Sequence, residues 1–320
     1  MMRVFSAALL AVCLATPAGA SGRLFVVSKE KKALQVFDAD TGALEFEVTG
    51  AGDPHQVVLT ADGLRAYIAD AKGTTNTISV VDVKKRAIVK SLDIKPYAMP
   101  HGLVLTRDGS KLYVTSGAAR CVLEVTTSPL KVTRAYKFFF ENVENVAMTP
   151  DEKLVFATSN NDGNAIVINP AKDPDIETSI LTGYGAEGLA VTPDGTELWV
   201  ANRAAQTITV IDIATRKRLQ DIKCVGNPMH VYFTAGGSQV VVTCAVADRL
   251  VLIDRAKRTE ITRFEVGDFP VQMAFGEKNG PVFVTCARAN DVAVVDLAAQ
   301  KVIRRIPCGG DPEGIAFAKK

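Results

Sequence analysis

The three histidines of this chain share a local context that suits ligand binding. Each follows a proline by one or two residues at the start of a short apolar segment: His55 in DPHQVVL, His101 in MPHGLVL and His230 in PMHVYF. A neutral imidazole binds metal ions well, and it can also bond to anions and hydroxyl groups near physiological pH. Three histidines brought to equivalent places would therefore form a metal site or a binding site for a small polar ligand.

Carboxylates occupy the matching place in other segments of the chain. The position five residues before a recurring register residue carries a histidine or an acid in five segments: His55, His101, Glu144, Glu187 and Glu313. His230 falls one residue after that position. The pattern predicts polar side chains at one level around a shared axis. The best-placed set for a divalent metal ion is His55, His101, Glu144 and Glu313. A solvated channel that tolerates any polar residue is the alternative interpretation.

Two further residues are candidates for ligand binding at the rim of the same opening. Asn202 and Arg203 end the predicted strand that follows Glu187. The guanidinium group of Arg203 is a fixed cation that suits a carboxylate or a phosphate. The amide of Asn202 would add a polar contact.

The elements that must position these residues are short strands in a repeat. The register residue is Thr60, Thr106, Thr149, Thr192 and Thr234, with Gly276 and Ala318 in the last two copies, at intervals of 42 to 46 residues. A period of about 40 to 50 residues built from short strands is typical of a β-propeller blade. The first copy lacks an inner strand and the last copy supplies only that strand. We therefore predict an all-β fold, a seven-bladed β-propeller closed by pairing of the two ends of the chain in one blade.

The repeat resembles a known family. The segments PEGIA at 312–316, TPDG at 192–195 and LYVT at 112–115 are similar to the YVTN-type β-propeller repeat. That family includes surface proteins, periplasmic proteins, and relatives of lactonases and of haem d1 domains. A narrower resemblance is to the secreted seven-repeat propellers associated with PQQ-dependent (quinoprotein) alcohol catabolism, which implies a role beside a periplasmic oxidation system.

Several recurring residues are predicted to serve the fold alone. The Asp-Gly pairs after the register threonines are typical of turns. An aromatic residue recurs seven positions after the register residue, and we expect it to pack between blades: Phe25, Tyr67, Tyr113, Phe156, Trp199 and Phe283. The run of three phenylalanines at 138–140 is either an exposed patch for a partner or part of an outer strand covered on both faces; we favour the covered strand.

Composition and the first residues predict export. Residues 1–20 contain one charge, an apolar run and Ala18-Gly19-Ala20, which is typical of a cleaved signal peptide. Residues 21–320 are then one propeller domain that is periplasmic or secreted. The near balance of 37 basic and 35 acidic side chains argues against nucleic-acid binding. We expect no membrane span and a monomer.

Five cysteines follow the predicted signal peptide: Cys121, Cys224, Cys244, Cys286 and Cys308. They contain no Cys-x-x-Cys pair, which argues against a redox motif or a zinc ribbon. An oxidising compartment favours one or two disulfides plus a buried thiol, with the pairing open. The repeat places all of them except Cys121 on one rim.

Two functions compete at this stage. The first is a binding or accessory protein that holds a small ligand, a metal or a protein partner at the channel opening, serving a quinoprotein system. The second is a metal-assisted hydrolase of the propeller lactonase type, in which a divalent ion polarises a carbonyl and activates water. Copper bound by the Met-His pairs and a haem d1 carrier are further alternatives. No nucleophile elbow, His-Glu-x-x-His, Walker or Rossmann motif is present, and we prefer the binding function.

Overall fold

The computed structural model describes residues 21–71, 76–173, 175–277 and 280–320, which form seven sheets of four strands each. We number the sheets as blades 1 to 7 from the N-terminus. The strands of blades 1 to 4 are β1 (Gly22–Ser28), β2 (Ala33–Asp38), β3 (Leu44–Thr49), β4 (Pro54–Leu59), β5 (Arg65–Asp70), β6 (Thr77–Asp82), β7 (Ala87–Asp93), β8 (Pro100–Leu105), β9 (Lys111–Ser116), β10 (Cys121–Thr127), β11 (Leu130–Lys137), β12 (Val143–Met148), β13 (Val155–Ser159), β14 (Asn164–Ile168) and β15 (Ile176–Leu181).

Blades 5 to 7 and the last strand of the chain repeat the same order of inner, second, third and outer strand. They comprise β16 (Ala186–Val191), β17 (Glu197–Asn202), β18 (Thr207–Asp212), β19 (Lys217–Lys223), β20 (Pro228–Phe233), β21 (Gln239–Cys244), β22 (Arg249–Asp254), β23 (Thr259–Glu265), β24 (Pro270–Phe275), β25 (Val282–Cys286), β26 (Asp291–Asp296), β27 (Lys301–Pro307) and β28 (Pro312–Lys319). The described residues contain no apolar helix of membrane-spanning length.

The ring closes through the two ends of the chain. Strand β28 pairs antiparallel with β1, with Ala316 opposite Phe25, and is the inner strand of blade 1. Each inner strand also contacts the inner strands of the two neighbouring blades, including β28 with β4 and β24 with β28. The predicted seven-bladed propeller and its composite blade are therefore confirmed. Closure removes the long unpaired edge that an open sheet would present.

The recurring turn and core residues have the structural functions predicted for them. In the turn of blade 5 the Thr192 hydroxyl donates to Asp194 Oδ1 at 2.6 Å, and Gly195 has a φ of +72°. The same Thr-to-Asp bond forms in blades 2, 3 and 4. The aromatic stripe is buried throughout, with the largest member, Trp199, fully enclosed. These residues stabilise the blades and lie outside the candidate site.

The prediction that the three phenylalanines at 138–140 lie in the outer strand is wrong. Strand β11 ends at Lys137, so the run forms the connection into β12. Phe138 and Phe140 pack against the core, whereas Phe139 is 98% exposed. The break in apolar alternation marks the end of a strand in this case.

The five described cysteines are all buried, and two of them lie close together. They are free thiols in the structure, and disulfide formation stays a prediction. Cys224 and Cys244, which belong to neighbouring blades, have their sulfur atoms 3.7 Å apart.

A buried threonine on the second strand connects one inner strand to the next. The Thr158 hydroxyl accepts a hydrogen bond from the Asn145 N–H of its own blade at 3.2 Å and donates to the Glu187 carbonyl of the next blade at 2.6 Å. We call the four residues that make this pair of bonds the threonine relay: Thr115, Thr158, Thr243 and Thr285. The relay fixes the height of neighbouring inner strands relative to each other.

We expect Thr158→Val to destabilise the protein while keeping its shape. Valine fills the same volume but leaves the Asn145 N–H and the Glu187 carbonyl unbonded in a buried place, which costs about 1 to 3 kcal/mol. Urea unfolding of the purified chain measures the change. Thr259→Val on the exposed start of β23 is the matched control and should shift the unfolding free energy by less than about 0.5 kcal/mol. Equal effects of the two substitutions would contradict a structural function for the relay.

Candidate functional site

The inner strands place the predicted site residues at one end of the central channel, which we call the mouth. Every inner strand shifts register against its second strand near its start, for example between Val143 and Val146 in blade 4. Such bulges redirect side chains and are frequent beside functional sites. The residues at these shifts in blades 1 to 5 form what we call the acid–histidine arc: Glu313, His55, His101, Glu144 and Glu187.

The first part of the arc is a His–Glu pair backed by a lysine. His55 Nδ1 lies 2.9 Å from Glu313 Oε2, and the Lys29 ammonium group contacts the other oxygen of Glu313. Asp53 lies on the other side of the imidazole, with its Oδ2 3.7 Å from His55 Nε2. Burial alone would raise the pKa of Glu313, but the His55 hydrogen bond and the Lys29 charge lower it to about 2. Glu313 is therefore ionised and holds the imidazole of His55 in a fixed orientation.

The second part is His101, which links His55 to Glu144. The His55 and His101 rings lie with their centroids 4.8 Å apart. His101 Nδ1 is 3.1 Å from the Glu144 carbonyl oxygen, so this nitrogen carries the proton and donates. His101 Nε2 lies 3.6 Å from Glu144 Oε2. Burial lowers the pKa of His101 despite the nearby Glu144 charge, which leaves a neutral ring with an available Nε2.

The third part is a buried glutamate that keeps its proton. Glu187 accepts from Asn160 Nδ2 at 2.6 Å and lies 3.2 Å from Arg203 Nη1. Burial and the charge of Glu144 raise the pKa of Glu187 to about 8, because together they outweigh the attraction of Arg203. Glu187 is consequently a hydrogen-bond donor at neutral pH. The arc thus contains both an ionised and a protonated carboxyl group.

His230 faces the same channel from blade 6 but is offset by one residue. Its ring packs close to the backbone of Gly188, where a Cβ would lie 2.7 Å from His230 Nδ1. Burial, followed by the nearby His101, lowers the pKa of His230 to about 4. All three histidines are therefore near one opening, and His230 lies deeper, at 7% exposure.

The two predicted rim residues differ in their availability. Arg203 keeps 42% of its side chain exposed and remains open to a ligand. Asn202 is fully buried, and its amide nitrogen donates to Thr209 Oγ1 at 2.8 Å. This side chain joins β17 to β18 inside the blade, and ligand binding by Asn202 stays a prediction.

The structure does not present the predicted metal set as a formed coordination site. Among the described residues, no group of three or more His, Cys, Asp or Glu side chains has an arrangement that could hold a metal ion. Of the set, Glu313 is bonded through both oxygens to Lys29 and His55, and His101 Nδ1 is used by a carbonyl. Glu144 Oε1 accepts a hydrogen bond from Asn142, which leaves His101 Nε2 and Glu144 Oε2 as the atoms available to a metal ion. Metal binding stays a prediction.

Lys29 is a residue of the site that was not predicted from the sequence, although its position in the repeat could have identified it. Lys29, Asn160 and Arg203 each occupy the position directly after the second strand of a blade. All three contact a carboxylate of the arc: Lys29 contacts Glu313, and the other two contact Glu187. A comparison of this position across the blades would have added Lys29 to the site.

Apolar residues occupy the equivalent places in blades 6 and 7. Met229 and Val271 take the position of the arc residues, and Ala245 and Ala287 take the position of Lys29 and Arg203. These four pack together with Phe269 in one cluster, which we call the apolar wall. The mouth therefore has a polar side of five blades and an apolar side of two.

We expect Glu187→Gln to change how stability depends on pH. The native pKa near 8 lies above the ordinary value of 4.5, so the native state holds a proton that the unfolded chain has lost, and this group stabilises the fold progressively less as pH rises between those values. Glutamine stays neutral and can still bond to Asn160. Relative to the variant, wild type should lose about 2 to 4 kcal/mol of unfolding free energy from about pH 5 to about pH 8.5.

Urea unfolding at several pH values measures this difference, and the contribution of His230 cancels because both proteins contain it. Glu265→Gln, at a side chain that is 80% exposed, is the control and should give a curve parallel to wild type. A Glu187→Gln curve that is also parallel would contradict a protonated Glu187.

Comparison with known proteins agrees with this architecture. The chain superposes on a functionally unknown protein from Desulfotomaculum acetoxidans with a TM-score of 0.80 at 14% identity, covering 93% of this chain and 99% of that chain. It also superposes on the Kuenenia stuttgartiensis hydrazine synthase (TM-score 0.76, 18% identity, 92% and 99% covered) and on the periplasmic gluconolactonase of Pseudomonas aeruginosa (0.77, 18%, 93% and 99%). These identities show a shared fold alone.

The sequence comparisons identify the family. No curated protein matches the chain. A family model, the YNCE-like beta-propeller, matches residues 31–277. This match covers most of the chain and all of the arc except Glu313, and the chain therefore belongs to the YNCE-like β-propeller family.

Proposed function

We propose that this propeller binds a small ligand with carboxylate or hydroxyl groups at its mouth. The observation that carries the proposal is the unbroken sequence of contacts from Lys29 through Glu313, His55, His101 and Glu144, with Glu187 and Arg203 beside it. Charged groups this close together are costly to bury unless they serve each other or a ligand. Here they come from five separate blades and meet at one end of the inner strands.

The chemistry of the arc suits such a ligand. Arg203 and the protonated Glu187 supply donors, whereas Glu144 and the free nitrogen of His101 supply acceptors. A hydroxy acid needs both kinds of partner, since its carboxylate only accepts and its hydroxyl groups both donate and accept.

Export forms part of the proposal. Residues 1–20 have the composition of a signal peptide, and one of the structures that share the fold is a periplasmic protein. We propose a periplasmic or secreted location and, from the resemblance to secreted propellers of PQQ-dependent alcohol catabolism, an accessory function that captures a hydroxylated substrate or product of such a system.

A second candidate function, lactone hydrolysis, is favoured by the His55–Glu313 pair. Glu313 orients the imidazole through Nδ1 at 2.9 Å, so that Nε2 could accept a proton from an attacking water. The protonated Glu187 would then supply a proton to the leaving alkoxide. A divalent ion held by His101 and Glu144 would add polarisation of the carbonyl when bound. A gluconolactonase shares the fold.

Titration calorimetry with gluconate and hydrolysis assays with gluconolactone test both candidates on the purified chain. Arg203→Met removes the exposed cation and should weaken gluconate binding about tenfold or more. Arg249→Met, at an arginine on the exposed start of β22, is the matched control and should leave binding unchanged. Gluconate that binds wild type and Arg203→Met equally would show that the mouth is not its site.

The His55→Asn variant separates binding from catalysis. If the protein is a lactonase, this substitution should abolish hydrolysis of gluconolactone while metal analysis of the two proteins gives the same content. If the protein only binds, wild type should bind gluconate and hydrolyse the lactone no faster than buffer does.

A further inference from the structure

We infer that the mouth selects ligands that carry an apolar group next to their carboxylate or hydroxyl groups. This inference rests on the proposed function and adds the ligand class. The apolar wall, formed by Met229, Ala245, Val271, Ala287 and Phe269, completes the ring of positions that the acid–histidine arc occupies elsewhere. A ligand at the mouth therefore meets a polar and an apolar surface at the same depth.

The wall is specific to these two blades and does not follow from the fold. Blades 1 to 5 have polar or charged side chains at the same inner-strand position, and the ring tolerates them there. The Thr243 hydroxyl of blade 6 donates to the backbone carbonyl of Val271 at 2.8 Å, so this bond does not depend on the side chain at Val271. The side chains of the wall can therefore determine which ligands bind at the mouth.

The residues of the wall are closely packed. The Arg288 guanidinium group stacks on Phe269, 4.3 Å from the centroid of the ring. Met229 and Val271 are 7% and 4% exposed, so they form a packed surface without a deep apolar cavity. Such a surface suits the flat face of an aromatic ring or a short alkyl group, whose burial contributes roughly 25 cal/mol per Å².

A pair of hydroxy acids that differ only in their apolar group tests this inference by calorimetry. Mandelate carries a phenyl ring where lactate carries a methyl group, and we expect mandelate to bind wild type about tenfold more tightly or better. Val271→Thr keeps the shape of the side chain and adds a hydroxyl group, and Met229→Gln keeps the length of the side chain and adds an amide group. Each should lower the ratio of mandelate affinity to lactate affinity about threefold or more, because mandelate buries more apolar surface against the wall than lactate does.

The failure of this inference is distinguishable from the failure of the proposed function. Mandelate and lactate that bind equally, or a ratio unaffected by both variants, would overturn the apolar selection while the mouth remained a hydroxy-acid site. If Arg203→Met binds neither mandelate nor lactate and both wall variants keep the wild-type ratio of mandelate affinity to lactate affinity, the apolar selection is likewise overturned and the mouth remains the binding site. No binding of gluconate, mandelate or lactate to wild type would overturn the proposed function itself.

A second inference comes from the cysteines: we propose that Cys224 and Cys244 form a disulfide that joins blades 5 and 6. The last residue of a second strand bonds to the connection leading out of the preceding blade, as Ser116 does to the Ala98 carbonyl at 2.6 Å and Ser159 to that of Glu141 at 2.7 Å. Cys244 takes this place in blade 6, and its partner in the connection is Cys224. Their sulfur atoms are 3.7 Å apart, in van der Waals contact, and would have to approach each other by about 1.7 Å to reach the roughly 2.05 Å of a bond.

The same rule excludes the other cysteines. Cys286 takes the equivalent place in blade 7, but the connection offers Val266, whose carbonyl lies 3.7 Å from the sulfur. Cys308 occupies the connection into blade 1, where the second strand ends at Ser28. Each of these two cysteines therefore lies at a contact between blades, but the residue opposite it is not a cysteine.

The chemistry needs a disulfide oxidant during folding, because both thiols are fully buried afterwards. Two S–H bonds break and one S–S bond forms, and the two electrons and two protons reduce the disulfide of the oxidant to two thiols. In the test, the full chain is refolded with oxidised and reduced glutathione and then mapped by mass spectrometry after alkylation. We expect a Cys224–Cys244 cross-link and free thiols at Cys121, Cys286 and Cys308.

Two variants, one that adds a cysteine and one that removes a cysteine, test the rule directly. Val266→Cys places a thiol opposite Cys286 by the same rule and should add a second cross-link, whereas Cys244→Ser should remove the first. Oxidised wild type should unfold about 5 °C above its reduced form, since the bond closes a 20-residue loop. A Cys286–Cys308 cross-link in wild type, or no cross-link in either wild type or Val266→Cys, would overturn the proposal.

Discussion

The geometry of the mouth depends on the hydrogen bonds of the threonine relay. Each relay hydroxyl accepts from its own inner strand and donates to the inner strand of the next blade. A hydroxyl group can do both at once, whereas valine, the residue closest to it in shape, can do neither. The four relay residues therefore hold the inner strands of blades 3 to 5 at one height, and likewise those of blades 6, 7 and 1. In the arc, this alignment keeps Glu144 and Glu187 level with His101.

The arc holds two carboxyl groups in opposite protonation states because their surroundings differ. Glu313 is paired with Lys29 and His55, and these contacts lower its pKa to about 2 despite its burial. Glu187 also has a cation, Arg203, but it is more deeply buried and faces the charge of Glu144. Because their pKa values differ, Glu187 can donate a hydrogen bond and Glu313 can accept one at the same opening. The difference comes from the packing around two positions that are equivalent in the repeat.

The sequence predicts the propeller because repeat spacing reports topology directly. It also predicts which inner-strand residues meet, since one register applies to all blades. It does not show which of two neighbouring side chains is buried and which is exposed. Asn202 and Arg203 are adjacent, yet strand alternation turns Asn202 into the blade and leaves Arg203 at the mouth. The disulfide pairing was open for a related reason, because it depends on which blade each connection contacts.

The relay also explains how one scaffold carries a polar arc and an apolar wall together. It uses the backbone carbonyls of Glu144, Glu187 and Glu313, and it uses the carbonyl of Val271 in the same manner. The side chains at these positions take no part in aligning the strands. Their chemistry can therefore vary from blade to blade while the ring stays closed. The second-strand threonines therefore stabilise the ring, and the residues that face the channel determine which ligand binds.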